Sequence, residues 1–125
     1  MPLYDPETKM MFLTGKGDRY IQYVEISDHA PHIIHGLRYT GDQTKGGCLV
    51  PKRALDVMKA EVNRLLQLCD NSVVPITWQV PRKTYDKFHA DIFPDIRGPI
   101  PSVGPQQWLD GKDDLPKPIS LGKNV

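Results

Sequence analysis

The side chains best suited to chemistry fall into four groups. His29, His32 and His35 recur every third residue, an interval that invites a metal reading on a helix face. Pro31 disfavours that helix, and in a strand His29 and His35 would face away from His32. No cysteine or second carboxylate cluster completes a zinc set, so the three read as ordinary surface or core histidines. Thr14-Gly15-Lys16-Gly17-Asp18 superficially resembles a phosphate loop. The G-x-x-x-x-G-K-[ST] spacing is absent, no hydroxyl follows Lys16, and Asp18 would repel a phosphate; a hairpin turn exposing Lys16, Asp18 and Arg19 is the simpler reading. Asp86, Asp91 and Asp95, or Asp110, Asp113 and Asp114, could be imagined as acid–base pairs, but nothing brings them to a nucleophile. Ser27, Asp28 and His29 are adjacent, and adjacent residues do not make a triad. The last group is basic: Lys16 with Arg19, Lys52-Arg53, and Arg82-Lys83. Such cations either sit solvated or steer an acidic protein partner in a salt-sensitive way.

The totals narrow the classes. A chain of 125 residues, 39% hydrophobic, suits about one domain with a modest core. Sixteen Lys and Arg against fifteen Asp and Glu leave a net charge of +1, which gives no global pull toward nucleic acid or anionic membrane. Cys48 and Cys69 make no disulfide framework and are expected to be buried, reduced thiols, fitting a reducing compartment. Pro2, Asp5, Pro6 and Glu7 interrupt any apolar leader, and no stretch approaches the ~18 apolar residues of a membrane span. The expectation is a soluble cytosolic protein without nucleic-acid binding, membrane insertion or cofactor, and without catalysis.

The elements that must position these groups read mostly as strands. Asp5-Pro6-Glu7-Thr8-Lys9 is a turn signal. Met10–Thr14 and Tyr20–Ile26 flank a glycine-containing turn and predict a β-hairpin. His32–Tyr39 and Gly46–Val50 are further candidate strands, the second closed by Pro51. Arg53–Cys69 is ambiguous. Leu55, Met58, Val62, Leu65, Leu66 and Cys69 recur at helical spacing, yet a hairpin pairing roughly Val62–Leu68 with Val73–Val80 across Asp70-Asn71-Ser72 is equally economical. That hairpin needs Pro75 at an edge or bulge. Eight of the twelve prolines fall at or after Pro75, so long regular elements are excluded beyond Pro81. Tyr85–Phe93 could hold a helical turn or two. Ile92, Phe93, Ile96, Trp108, Leu109, Ile119 and Leu121 mark the rest as an ordered strap with apolar anchors, and Trp78 and Trp108 read as core anchors.

In order along the chain, Asp5-Pro6-Glu7-Thr8, Phe12–Asp18, Tyr20–Ile26, Pro51–Val57, Val80-Pro81-Arg82-Lys83, Phe88–Asp95, Trp108-Leu109-Asp110-Gly111 and Ile119-Ser120-Leu121 resemble the pattern of the coronin family. Ala54–Met58 and Val73–Ile76 are most similar to the long, tandem-propeller (Pod-type) coronins. The resemblance implies an all-β fold: the last blades of a WD40-type β-propeller over residues 1–80, and an irregular, proline-rich C-terminal extension over 81–125 lying along its underside. It favours the hairpin for Glu61–Val80, with a short helical turn near Ala54–Met58. It also implies a non-catalytic regulator of the actin cytoskeleton that binds F-actin, with links to other cytoskeletal or trafficking proteins and a cytoplasmic, cytoskeletal location that extends peripherally to trafficking membranes. The candidate partner-binding residues are then Lys16, Arg19, Lys52, Arg53, Arg82 and Lys83. The alternatives are purely structural closure of the propeller, with actin binding elsewhere, or a small metal-binding protein or enzyme using the histidines. One copy lacks the other blades, so open edges and exposed apolar faces predict self-association.

Overall fold

The computed structural model describes residues 1–124; Val125, the end of the expected extension, lies outside them. Strands β1 (Pro2–Asp5), β2 (Met10–Leu13), β3 (Tyr20–Ile26) and β4 (Ile33–Thr40) form one antiparallel sheet in chain order. Strands β5 (Gly46–Leu49), β6 (Glu61–Leu68) and β7 (Val73–Gln79) form a second, also antiparallel and in order. The expected β2–β3 hairpin is present, with Met10 opposite Glu25 and Leu13 opposite Gln22. Its turn places Gly17 at φ 90°, a left-handed conformation that costs glycine nothing.

The ambiguous stretch is a hairpin. Leu68 pairs with Val73 and Glu61 with Gln79, while Lys52–Ala54 and Val57–Lys59 form two short 3-10 turns ahead of it. Pro75 lies opposite Leu66 on β7, the terminal strand of its sheet, where its missing N–H deprives no neighbouring strand of a bond. Asn63, Leu65 and Gln67 of β6, and Cys69 just after it, alternate as the buried face. Their polar members broke the apolar alternation that would have announced a strand.

The two sheets form a wedge. They approach at β1 and β5, where Leu3 packs beside Gly47, and splay at β4 and β7, leaving an open groove of about 660 Å3 lined by Leu37, Tyr39, Thr77 and Gln79. The wedge is filled by Phe12, Tyr23 and Trp78, with ring centroids 5.1 to 5.9 Å apart, tilted or edge-on as aromatic quadrupoles prefer. Ile21, Leu65, Val62 and Ile76 extend this core.

The proline-rich segment is ordered by a few anchors. Phe93, Ile96 and Leu121 join the core, Phe88 stacks on Phe93 at 5.5 Å, and Ile96 and Ile119 exchange a pair of backbone hydrogen bonds of 2.9 Å. Gly98 permits this approach, because a Cβ there would sit 2.2 Å from the Lys117 carbonyl oxygen. Two expectations about the strap are corrected. Tyr85–Phe93 contains no helix; Thr84 bonds Asp86, His89 reaches the Thr84 carbonyl, and Asp91 pairs with Arg82, local bonds that compete with helical ones. The short α-helix α1 lies instead at Pro105–Leu109, beginning on a proline suited to a first turn. It leaves Trp108 and Leu109 63% and 70% exposed, so neither is a core anchor of this segment, whereas Trp78 is. Likewise Cys69 is buried but Cys48, on the terminal strand β5, is exposed; both are free thiols.

Candidate interaction surfaces

Successive antiparallel strands alternate direction, so their connections gather at two opposite ends. One end holds the β2–β3 turn, the β4–β5 connection and the β6–β7 turn. The Gly17 amide bonds the Thr44 carbonyl at 2.7 Å and the Thr44 amide the Asp18 carbonyl at 2.8 Å. Beneath them the fully buried Gln67 donates to the Thr44 hydroxyl at 2.8 Å and the Asp42 carbonyl at 3.0 Å. The turn that resembles a phosphate loop is thus a hairpin end bonded to the β4–β5 connection. Lys16 and Arg19 are exposed on it with no ion-pair partner among the described residues. Lys45 on the neighbouring connection is matched by Asp70.

The opposite end holds the Asp5–Lys9 turn, the β3–β4 turn and the Pro51–Ala60 connection, and the strap crosses it. Here Lys52 turns inward. Its ammonium meets the Asp5 carboxylate and donates to the Val62 carbonyl at 2.6 Å and Asn63 Oδ1 at 3.1 Å. Asn63 Nδ2 in turn donates to Asp5 Oδ2 at 3.1 Å and Thr8 Oγ1 at 3.2 Å. Burial pushes the Asp5 carboxyl up, but the hydrogen bonds from Lys52 and Thr8 and the Lys52 charge outweigh it and hold the group below its ordinary range. This clamp ties the first sheet to the second.

A second buried carboxylate organises the neighbouring turn. Glu61 accepts from the Asp56 amide at 2.9 Å, Arg64 Nε at 3.0 Å and the Thr77 hydroxyl at 2.7 Å. Desolvation is again outweighed, chiefly by Arg64, and its carboxyl is held low.

The six basic residues therefore do not converge. Lys16 and Arg19 occupy one end, and Lys52, Arg53, Arg82 and Lys83 the other. Lys52 is spent on the clamp, and Arg82 is engaged by Asp91 at 2.7 Å. Arg53 and Lys83 remain exposed. His29 and His32 stand on the exposed β3–β4 turn and His35 on β4, and the described residues contain no group of three or more His, Cys, Asp or Glu placed to hold a metal. Asn63, Thr44 and Gln67 escaped sequence reasoning altogether.

Two four- and three-stranded antiparallel sheets, closest at their first strands and splayed at their last, are adjacent blades of a propeller of the WD-repeat class. A family described as a type of WD40 repeat matches residues 73–116. Coronin-7 of Bos taurus is 39% identical over 122 residues, covering 97% of this chain and 13% of its own length. Coronin-7 of Pongo abelii is 38% identical over the same shares. The crystal structure of the WD40 domain from Toxoplasma gondii coronin superposes with a TM-score of 0.83 at 32% identity, over 96% of this chain and 31% of that one. The chain belongs to the coronin family, as a segment of its WD-repeat propeller with the irregular extension that follows. It spans only 13% of the length of the curated relatives it matches.

Proposed function

We propose that this segment serves a non-catalytic regulator of the actin cytoskeleton, and that its hairpin end contacts an acidic partner, F-actin, through Lys16 and Arg19. The observation that carries the reading is the state of those two cations: exposed, unpaired among the described residues, and carried on a turn whose backbone is bonded to Thr44, which Gln67 holds in turn. A turn whose backbone is already held loses little loop entropy on docking, and exposed cations steer association. Coronin membership supports the choice of partner. A cytoplasmic location on the cytoskeleton, with other cytoskeletal or trafficking partners, goes with the same reading.

A second reading has its own support. The Asp5–Lys52–Asn63 clamp and the strap above it suit a segment whose work is to join blades, with actin contact carried elsewhere in the parent. Co-sedimentation of the 125-residue chain with F-actin across a salt series separates the two. Saturable, salt-sensitive pelleting that a Lys16→Glu/Arg19→Glu variant loses supports the contact reading. A folded chain that stays in the supernatant leaves the structural one.

A further inference from the structure

We infer that the outer edge of β4 is a docking site for an extended segment of a partner protein, one that carries acidic side chains among apolar ones and adds as a fifth strand. β4 is the last strand of a complete four-stranded sheet, on the splayed side of the wedge and away from the β1–β5 approach. In a propeller the blades repeat radially and do not pair edge to edge, so the last strand of a blade keeps a short edge, and β4 is such a strand.

The backbone is available. The Ser27 amide bonds the His32 carbonyl, and the Gly41 amide bonds the Arg19 carbonyl. Antiparallel alternation from those two pairs, through the bulge opposite Tyr23, turns the N–H and C=O groups of Ile33, His35, Arg38 and Thr40 away from β3. Seven of the eight β4 residues are exposed. Among them Ile33, Ile34 and Leu37 keep 54%, 44% and 73% of their surface. Edge strands are usually protected by lysine, proline or inward charge; β7 has Pro75, and β4 has neither lysine nor proline.

Charge selects the occupant. Arg38 stacks over Tyr20 at 4.4 Å and reaches Gln22, with no carboxylate partner among the described residues, and β4 itself contains no acid. A second copy paired antiparallel about the strand centre would set Arg38 of each against His35 of the other and leave both guanidiniums without a carboxylate. A partner strand with a glutamate or aspartate there supplies it.

The test uses the 125-residue chain and two labelled octapeptides, one alternating valine with glutamate and one alternating valine with lysine. Fluorescence anisotropy and amide hydrogen exchange are read together. The acidic peptide is expected to bind saturably and protect the amides of Ile33, His35, Arg38 and Thr40, and the lysine peptide is not. Arg38→Glu should weaken the acidic peptide by about tenfold or more and admit the lysine one. His35→Pro removes one outward N–H at an edge position and should weaken binding while β3 amides stay protected. No protection on β4, protection on β7 instead, or affinity unchanged in both variants overturns the site. Concentration-dependent self-association that protects β4 without peptide overturns the choice of a partner over a second copy.

Discussion

Lys52 and Asp5 form an ion pair whose side chains retain only 10% and 4% of their exposure, completed by Asn63 and the Val62 carbonyl. Two turns from different sheets are thereby fastened by charge inside the wedge. Such a pair is weak evidence of net stabilisation, but removing one partner strands the other. Lys52→Ala should cost about 3–5 kcal/mol in urea unfolding. A loss below about 1 kcal/mol would mean that water reaches Asp5 and the clamp is not sealed.

Acid should weaken the fold. Asp5 and Glu61 have carboxyls held below their ordinary values of 3.8 and 4.5, so the unfolded chain takes up their protons first. Their contribution is complete above about pH 5 and drains as pH falls through the lowered folded values. Glu7 runs oppositely: burial and then Asp5 raise its carboxyl, so it costs stability above its ordinary range and returns it on acidification. Three lowered carboxyls, the buried Asp5 and Glu61 and the exposed Asp86, against one raised predict a net fall. Urea midpoints measured from neutral to acid pH should drop, and less steeply in Glu61→Gln. An equally steep drop in that variant would show that Arg64 does not hold the Glu61 carboxyl.

The strap offers two aromatic residues with opposite expectations. Phe93, 5% exposed and stacked on Phe88, should cost about 3–5 kcal/mol as Phe93→Ala. Trp108, 63% exposed on α1, should stay within about 0.5 kcal/mol as Trp108→Ala. Thermal denaturation of both variants checks the pair. Comparable losses would show that α1 packs more tightly than its exposure indicates.

The two basic ends should behave differently toward F-actin. Lys16→Glu/Arg19→Glu is expected to lower pelleting at low salt, with little change in the thermal midpoint, since both side chains are exposed. Arg53→Glu/Lys83→Glu, at the other end, should leave pelleting near that of the unaltered chain. A larger loss from the second variant would move the contact to the strap-covered end.

Much of the fold was legible because its signals are local. The β2–β3 hairpin could be read from β-branched and aromatic runs around Gly15 and Gly17, and the edge position of Pro75 from its missing N–H. β6 was harder. Its inward face carries Asn63 and Gln67 beside Leu65, so hydrophobic periodicity pointed toward a helix, and the resemblance to coronins had to favour the hairpin. The site was less legible. Lys52 and Arg53 are equivalent in sequence, yet one is buried on Asp5 and the other exposed.

By itself the sequence determined an all-β propeller segment with a proline-rich extension and a near-neutral balance of charge. Strand patterns, turns and prolines act over a few residues, and the coronin motifs run in order along the chain. Only the tertiary structure decided which charges are free. That depends on which turns meet across the wedge: Asp5 claims Lys52, Asp91 claims Arg82, and alternating strand directions send Lys16 and Arg19 to the opposite end. Such pairings join residues far apart in the chain, and burial rather than residue type settles whether a cation holds the fold together or faces a partner.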